Sequence, residues 1–252
     1  MEFPSEAMPS RSQTGILFDI DGTLMDDDRA VSLALTSFHG TYGSELDISL
    51  RDLIARWREL LNLHFARYLA GGISMQGQRR ARILDLFARS RPDLTPAGAD
   101  RLFATYEGYY RAAWSAYADA LPALEALSGF VLGVLSNGDQ TQQTEKLRTT
   151  GLAPYFSGIF TSSELGSAKP SSEAFLSACR RLGISSRHCV YVGDSVETDA
   201  RASASAGLTS VWLDRAGTPI DASPDIHVIN TLTELPAFVA AWTERVPNLS
   251  TP

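Results

Sequence analysis

The sequence predicts an α/β protein in which a parallel-sheet core is interrupted near its start by an inserted helical segment. The strand-like run at 16–18 is followed by no other such run until residue 130. From there on, strand-like and helix-like runs alternate, which is typical of a parallel sheet flanked by helices. The intervening residues, about 26–114, carry amphipathic helical patterns.

The first strand ends in a pair of aspartates. The apolar run 16–18 is typical of a buried strand, and Gly22 marks the turn that ends it. Because side chains at i and i+2 of a strand share a face, we expect Asp19 and Asp21 to project the same way from its carboxyl end. Two such carboxylates repel each other unless a proton or cation accompanies them. The pair therefore suits a hard divalent metal, or chemistry that needs one carboxylate nucleophile and one carboxyl acid/base.

Three amphipathic helices are predicted inside the insertion. The first has a capping-box-like start at 49–52 and stops at Gly71. The second covers roughly 75–90. The third follows Thr95 or Pro96 and carries several aromatic residues, for which core packing is favoured over a ligand cage. They are Phe103, Tyr106, Tyr109 and Tyr110.

The later strands are predicted at 130–136, 158–161, 189–192 and 210–213, with a short one at 225–228. Polar residues of chemical interest follow this part of the chain in order. They are Ser136, Asn137, Lys169, Asp194 and Asp199. Taken singly, each is explained as well by a turn, a helix cap or a solvated helix residue.

The ordered set is more specific than its members. Asp-x-Asp-Gly-Thr at 19–23, Ser136, Lys169-Pro170, and Gly-Asp-Ser at 193–195 with Asp199 beyond it together resemble the haloacid dehalogenase-like (HAD) hydrolase superfamily. The resemblance covers about 14–235. It implies a Rossmann-like parallel-sheet core (the HAD fold) with an inserted α-helical cap domain of the C1 type. The last motif segment is loosely similar to the nucleotidase and N-acylneuraminate-9-phosphatase branch.

The polar, Pro- and Ser-containing start of the chain and this resemblance together suggest a domain organisation. Residues 1–13 are predicted to be a disordered N-terminal extension, and 246–252 a C-terminal tail. The HAD α/β core is predicted to comprise 14–25 and 115–245, and the helical cap 26–114.

Catalytic roles are implied for three residues. Asp19 matches the family's nucleophile, which would form an aspartyl phosphate, and Asp21 would protonate the leaving oxygen and then activate water. Lys169 would neutralise charge on the nucleophile and on the phosphoryl oxygens. Phosphate binding is predicted for Thr23, Ser136, Asn137 and Lys169.

A Mg²⁺ ion is the predicted cofactor. Its ligands would be the carboxylates of Asp19 and Asp194 and the backbone carbonyl of Asp21, since Mg²⁺ takes only one or two carboxylates and keeps several waters. Asp199 is predicted to orient this shell instead of binding the metal.

The predicted function is a Mg²⁺-dependent phosphatase that hydrolyses a small phosphate monoester, such as a nucleotide or a sugar phosphate. Dehalogenases of the superfamily lack the second aspartate, phosphonate hydrolases need a cap lysine that this insertion lacks, and mutase-like members have histidine where Val31 stands. Two alternatives stay open: phosphomutase-type phosphoryl transfer, and a non-catalytic binding or regulatory protein on the HAD scaffold.

Composition limits the partners. The 252 residues carry a formal charge of −7, which argues against a nucleic-acid surface, and no apolar run approaches the length of a membrane span. The two cysteines lie in core-like segments, which favours reduced thiols and a cytoplasmic location. Residues 26–115 hold 12 arginines against 11 acids, a charge balance that suits a lid over an anionic substrate. Candidate substrate-selecting residues there are Arg79, Arg80 and Arg82. No oligomeric state is predicted.

Overall fold

The structure is a computed structural model that describes residues 14–218 and 223–245. The predicted extension at 1–13 and the tail at 246–252 lie outside the described residues. The chain divides into two compact units, Met1–Asp26 with Ala116–Pro252, and Asp27–Ser115. Both divisions fall one residue later than the boundaries expected from the sequence. Within the described ranges, no helix is long and apolar enough to cross a membrane.

The first unit contains a six-stranded sheet within the described residues. Its strands are β1 (Gly15–Phe18), β2 (Val131–Ser136), β3 (Gly158–Thr161), β4 (Cys189–Gly193), β5 (Thr209–Leu213) and β6 (Ile226–Ile229). They are ordered β3-β2-β1-β4-β5-β6, and each neighbouring pair is parallel. The predicted α/β class with a parallel-sheet core is therefore confirmed.

Strand order creates a binding edge beside β1. The chain moves outward from β1 to β3 on one side, then crosses back to build β4 to β6 on the other. At such a reversal of strand order, a crevice opens beyond the carboxyl ends of the strands. Phe18 is in register with Val134 of β2 and Val192 of β4. The residues that follow these three positions therefore meet at one edge of the sheet.

The second unit is helical. It consists of α1 (Asp27–Leu46), α2 (Leu50–Leu69), α3 (Met75–Phe87) and α4 (Pro96–Ala112). Hydroxyl side chains cap the last three helices, as Ser49 accepts a hydrogen bond from the Asp52 amide at 3.2 Å and Thr95 accepts one from the Gly98 amide. Helix α1 is absent from the sequence-based prediction because Gly40 and Gly43 and a weak apolar stripe obscure its period.

Further helices cover the sheet. They are α5 (Ala120–Ala126), α6 (Gln140–Thr149), α7 (Ser162–Leu165), α8 (Ser172–Leu182), α9 (Ala202–Ser205) and α10 (Leu235–Arg245). A π-helical turn, Val196–Arg201, follows β4. The four residues of β1 are all buried, as expected for a strand in the middle of a sheet that helices cover on both faces.

An ion pair near the carboxyl edge of the sheet supports the loop after β1. The Arg215 guanidinium donates two hydrogen bonds to Asp119, at 2.9 and 3.0 Å, and one to the Thr23 carbonyl at 2.9 Å. Asp119 also accepts hydrogen bonds from the Thr231 hydroxyl and the Leu232 amide. Partial burial alone would raise the pKa of Asp119, but these hydrogen bonds together lower it.

The Asp119 carboxylate should make fold stability depend on pH. A carboxyl group with a lowered folded pKa stabilises the fold above its unfolded pKa of about 3.9, and loses this contribution as the pH falls through the folded value. We expect Asp119→Asn to lower the free energy of unfolding by roughly 1 kcal/mol at pH 7, discounted for partial exposure. The deficit should shrink below about pH 4. Urea unfolding at several pH values measures it.

The exposed Asp225→Asn variant provides the control. A deficit for Asp119→Asn that stays constant down to pH 3 would contradict the assigned role of the ion pair.

Candidate active site

Asp19 occupies the centre of the binding edge. It follows β1 directly, its amide donates to the Val192 carbonyl at 2.9 Å, and its side chain is almost fully buried. Burial raises the pKa of Asp19 well above its usual value, and the neighbouring carboxylates of Asp199, Asp194 and Asp21 add to the shift, while Lys169 opposes it. A carboxylate so placed is held in its charged form by cations, which the site has to supply.

Lys169 supplies one of these cations. Its buried ammonium group donates to Asp19 Oδ1 at 2.6 Å, to Asp199 Oδ1 at 2.6 Å and to the Tyr191 hydroxyl at 2.8 Å. These contacts use all three of its hydrogens. Burial by itself would lower the pKa of Lys169, but the two carboxylates outweigh it and raise the pKa. Lys169 therefore stays charged between two of the predicted site residues.

The predicted phosphate ligand Asn137 has a different contact from the one expected. Its side-chain amide donates to the Lys169 carbonyl and accepts from the Lys169 amide, both at 2.8 Å. The two hydrogen bonds fix the backbone of the lysine. The geometry thus supports a role for this side chain in positioning Lys169, and leaves phosphate contact to the backbone near the start of α6.

Three carboxylates form a potential metal cluster. One oxygen from each of Asp19, Asp194 and Asp199 lies within 4.8 Å of the others. Although the Asp194 side chain keeps access to solvent, removal from bulk water and the nearby Asp199 raise the pKa of Asp194 to about 6. Asp199 is also bound by Lys169, by the Tyr191 hydroxyl at 3.0 Å and by the Ser195 amide at 3.1 Å. These bonds leave Asp199 better suited to orient the cluster than to bind an ion.

Asp21 is held by two residues that the sequence analysis missed as functional. The Lys146 ammonium lies 2.5 Å from Asp21 Oδ1, and the Gln143 amide donates to Asp21 Oδ2 at 2.7 Å. Both partners are buried and belong to α6. The chain contains just two lysines, and each is paired with one of the two motif aspartates. The rarity of lysine is the one signal in the sequence from which the importance of Lys146 could have been inferred.

The hydroxyl residues of the motifs differ in their surroundings. Ser136 Oγ accepts hydrogen bonds from the Gly138 amide at 3.2 Å and from Gln143 at 2.8 Å. Because both contacts use it as an acceptor, its own hydrogen is left to donate to a phosphate oxygen. Thr23 is fully buried, with its hydroxyl 3.5 Å from Asp194 Oδ1. Its surroundings support a role in orienting Asp194 rather than direct substrate contact.

The turn after β1 needs a glycine. Gly22 has a φ of +86°, and a Cβ added there would lie 2.3 Å from Asp194 Oδ2. The close approach explains why glycine follows the aspartate pair, since any side chain would displace a carboxylate of the cluster.

The three arginines singled out in the insertion lie on α3 and have different contacts. Arg80 donates two hydrogen bonds to Asp100, at 2.9 and 2.6 Å, and Arg79 lies 3.8 Å from Glu107. Arg82 is 6% exposed, and its guanidinium lies over the rings of Trp57 and Phe103. Burial lowers the pKa of Arg82 to about 10, and no ion pair joins it to a carboxylate of the described residues.

Comparison with known proteins identifies the family. Residues 14–207 match the family model of haloacid dehalogenase-like hydrolases, so the chain belongs to this hydrolase family. The protein is 30% identical over 210 residues to a glyceraldehyde 3-phosphate phosphatase of Methanopyrus kandleri, a match that spans 79% of this chain and 83% of that protein. It is also 36% identical to the N-acylneuraminate-9-phosphatase of Rattus norvegicus over 42% of this chain and 44% of the relative.

Solved structures agree with this assignment. The magnesium-bound HAD hydrolase YfnB from Bacillus subtilis aligns with a TM-score of 0.76 at 25% identity, over 91% of this chain and 99% of that one. A 2-haloacid dehalogenase from Pseudomonas syringae aligns with a TM-score of 0.66 at 25% identity, over 91% and 99% of the two chains. The predicted family is confirmed. The protein is an enzyme of the HAD hydrolase family, and its phosphatase relatives support phosphate monoester hydrolysis.

Replacing Gly22 by alanine tests the close approach at the site. We expect Gly22→Ala and Gly151→Ala to lose similar stability, roughly 1–2 kcal/mol, because both glycines have positive φ and a Cβ is strained there. Gly151 has open space around its Cα. Gly22→Ala should in addition lose activity, because its Cβ pushes Asp194 away. Thermal unfolding and phosphate release measure the two effects. Equal activity in the two variants would show that the crowding has no catalytic consequence.

Proposed function

We propose that the protein hydrolyses a small phosphate monoester through an aspartyl-phosphate intermediate. The Asp19 carboxylate attacks phosphorus, the bond to the leaving oxygen breaks, and Asp21 gives that oxygen its proton. Asp21, now a carboxylate, removes a proton from water, which attacks phosphorus and releases phosphate from Asp19. Ser136 would donate a hydrogen bond to a phosphoryl oxygen, and Lys169, whose three hydrogens are already used, would act through its positive charge, because negative charge accumulates on these oxygens in the transition state.

The donor set fits a divalent cation. Asp19, Asp21, Asp194 and Asp199 are balanced by only two ammonium groups, those of Lys146 and Lys169. A hard cation with oxygen ligands compensates the remaining negative charge. We propose Mg²⁺, held by Asp19, Asp194 and the Asp21 carbonyl, with Asp199 orienting them. When bound, it would neutralise charge on the phosphoryl group.

The observation that carries this proposal is the second carboxylate, Asp21, which Lys146 and Gln143 hold in place. Structural neighbours include a 2-haloacid dehalogenase, so the fold does not select the reaction. Displacement of halide needs no proton donor, and a binding protein needs no acid/base group. Asp21, two residues from Asp19 and in contact with Lys146 and Gln143, is a feature that hydrolysis of an oxygen ester requires.

Phosphate release from a panel of phosphate monoesters tests this function. The panel would hold glyceraldehyde 3-phosphate, phosphoserine, N-acylneuraminate 9-phosphate, nucleoside 5′-monophosphates and an aryl phosphate. We expect release in Mg²⁺ that EDTA abolishes. Asp19→Asn should abolish turnover with the fold intact, and Asp21→Asn should slow it about a hundredfold or more.

The alternatives predict other outcomes. Isomerisation that depends on a bisphosphate, with little phosphate release, would indicate a phosphomutase. Ligand binding without turnover in the wild type would indicate a binding protein. A fully active Asp19→Asn variant would contradict the mechanism itself.

The cytoplasmic location predicted from the cysteines stays part of this proposal. Cys179 and Cys189 are both buried and free of disulfide bonds, which is what a reducing compartment favours.

A further inference from the structure

Helix α6 places two buried polar side chains beside the aspartate that acts as acid and base in the proposed mechanism. Gln143 is 1% exposed and Lys146 is 2% exposed. They stand three residues apart and so share one face of the helix. A buried ammonium group is unfavourable unless it is paired and hydrogen-bonded. The burial of both side chains therefore requires specific interactions that offset its cost.

Contacts with Asp21 provide these interactions. Each oxygen of Asp21 has its own donor: Lys146 Nζ lies 2.5 Å from Oδ1, and Gln143 Nε2 lies 2.7 Å from Oδ2. Two donors at different oxygens fix both the place and the rotation of the carboxylate plane. A single ion pair would leave that plane free to turn.

Gln143 also joins Asp21 to the predicted phosphate-binding hydroxyl. Its Nε2 lies 2.8 Å from Ser136 Oγ. A side-chain amide nitrogen carries two hydrogens, one for each acceptor. The Gln143 amide therefore sets the distance between Asp21, the proposed proton donor, and Ser136, which would bind the phosphoryl group.

Stability alone does not account for this arrangement. The Asp21 side chain is 33% exposed, so water could solvate it without a lysine. Burial of the lysine carries a desolvation cost that a surface pair at the same aspartate would avoid. The cost of burying Lys146 and Gln143 is explained if Asp21 has to face its substrate in one fixed orientation.

We propose that Lys146 and Gln143 are positioning residues for Asp21, which hold its carboxyl group in line with the leaving oxygen of a phosphate monoester. The inference rests on the proposed function. Lys146 and Gln143 are thereby added to the site as residues that affect the reaction through Asp21.

The choice of leaving group tests the inference. When Asp19 attacks and the phosphorus–oxygen bond breaks, an alkoxide needs the Asp21 proton, whereas 2,4-dinitrophenolate leaves without it. The value of kcat/KM reports the steps up to this bond cleavage, so it isolates the proton transfer from later hydrolysis of the aspartyl phosphate. A positioning defect at Asp21 should therefore be large for alkyl esters and small for dinitrophenyl phosphate.

Lys146→Met is the main variant, with glycerol phosphate and 2,4-dinitrophenyl phosphate as substrates. We expect kcat/KM for glycerol phosphate to fall about tenfold or more, as part of the typical acid–base contribution. For the dinitrophenyl ester it should fall less than about threefold. In an Asp21→Asn background the same substitution should have little further effect, because the residue that it positions is already removed.

Controls separate positioning from folding. Arg148→Met removes an exposed base from the same helix and should leave both kcat/KM values unchanged. Lys146→Arg keeps the charge and should recover part of the alkyl-ester activity. Gln143→Met gives the same leaving-group pattern if Lys146→Met does not fold.

The outcomes are distinct from failure of the proposed function. A wild type that releases no phosphate from these two esters or from any monoester of the panel would refute the phosphatase proposal. Normal wild-type activity with equal losses for the two esters in Lys146→Met, or with full additivity in the Asp21→Asn background, would overturn the positioning role alone.

Discussion

Repulsion among carboxylates at one edge of the sheet is the constraint on which the site depends. Strand register brings Asp19 and Asp194 to the same edge, and the π-helical turn after β4 adds Asp199. Burial raises the pKa values of Asp19 and Asp194, and the neighbouring carboxylates raise them further. The fold compensates with the chain's two lysines, both buried, and with hydrogen-bond donors from the surrounding loops. The negative charge that remains at the site can be compensated by a divalent cation.

The same constraint explains several residues that have no chemistry of their own. Gly22 lets the turn after β1 pass close to Asp194. Asn137 fixes the backbone of Lys169 by two hydrogen bonds, and the Tyr191 hydroxyl contacts both Lys169 and Asp199. Arg215 binds the carbonyls that follow the aspartate pair. Each contact restricts a charged group that would otherwise move away from its neighbours.

The sequence predicted the sheet and the motif residues because these depend on local patterns. Apolar runs that stop at small or acidic residues predict where strands end, and the carboxyl ends of parallel strands meet at one edge. Lys146 and Gln143 were not predicted as functional residues. Their importance depends on how α6 is rotated against β1, and no local sequence pattern indicates that rotation. The different contacts of Arg79, Arg80 and Arg82 were equally hidden, since burial on α3 depends on partners in α2 and α4.

The choice between dehalogenation and ester hydrolysis on one fold follows from what is placed beside the nucleophile. A 2-haloacid dehalogenase and a HAD phosphatase are both among the solved structures that this chain resembles. In the proposed mechanism, the second carboxylate is useful only if its orientation is fixed and its charge is balanced, because a mobile aspartate would turn towards a bound cation or the solvent. Lys146 and Gln143 meet both needs from a helix that also begins at the predicted phosphate-binding segment. In the proposed mechanism, helix α6 would couple phosphate binding to proton transfer, because Gln143 contacts both Ser136 and Asp21.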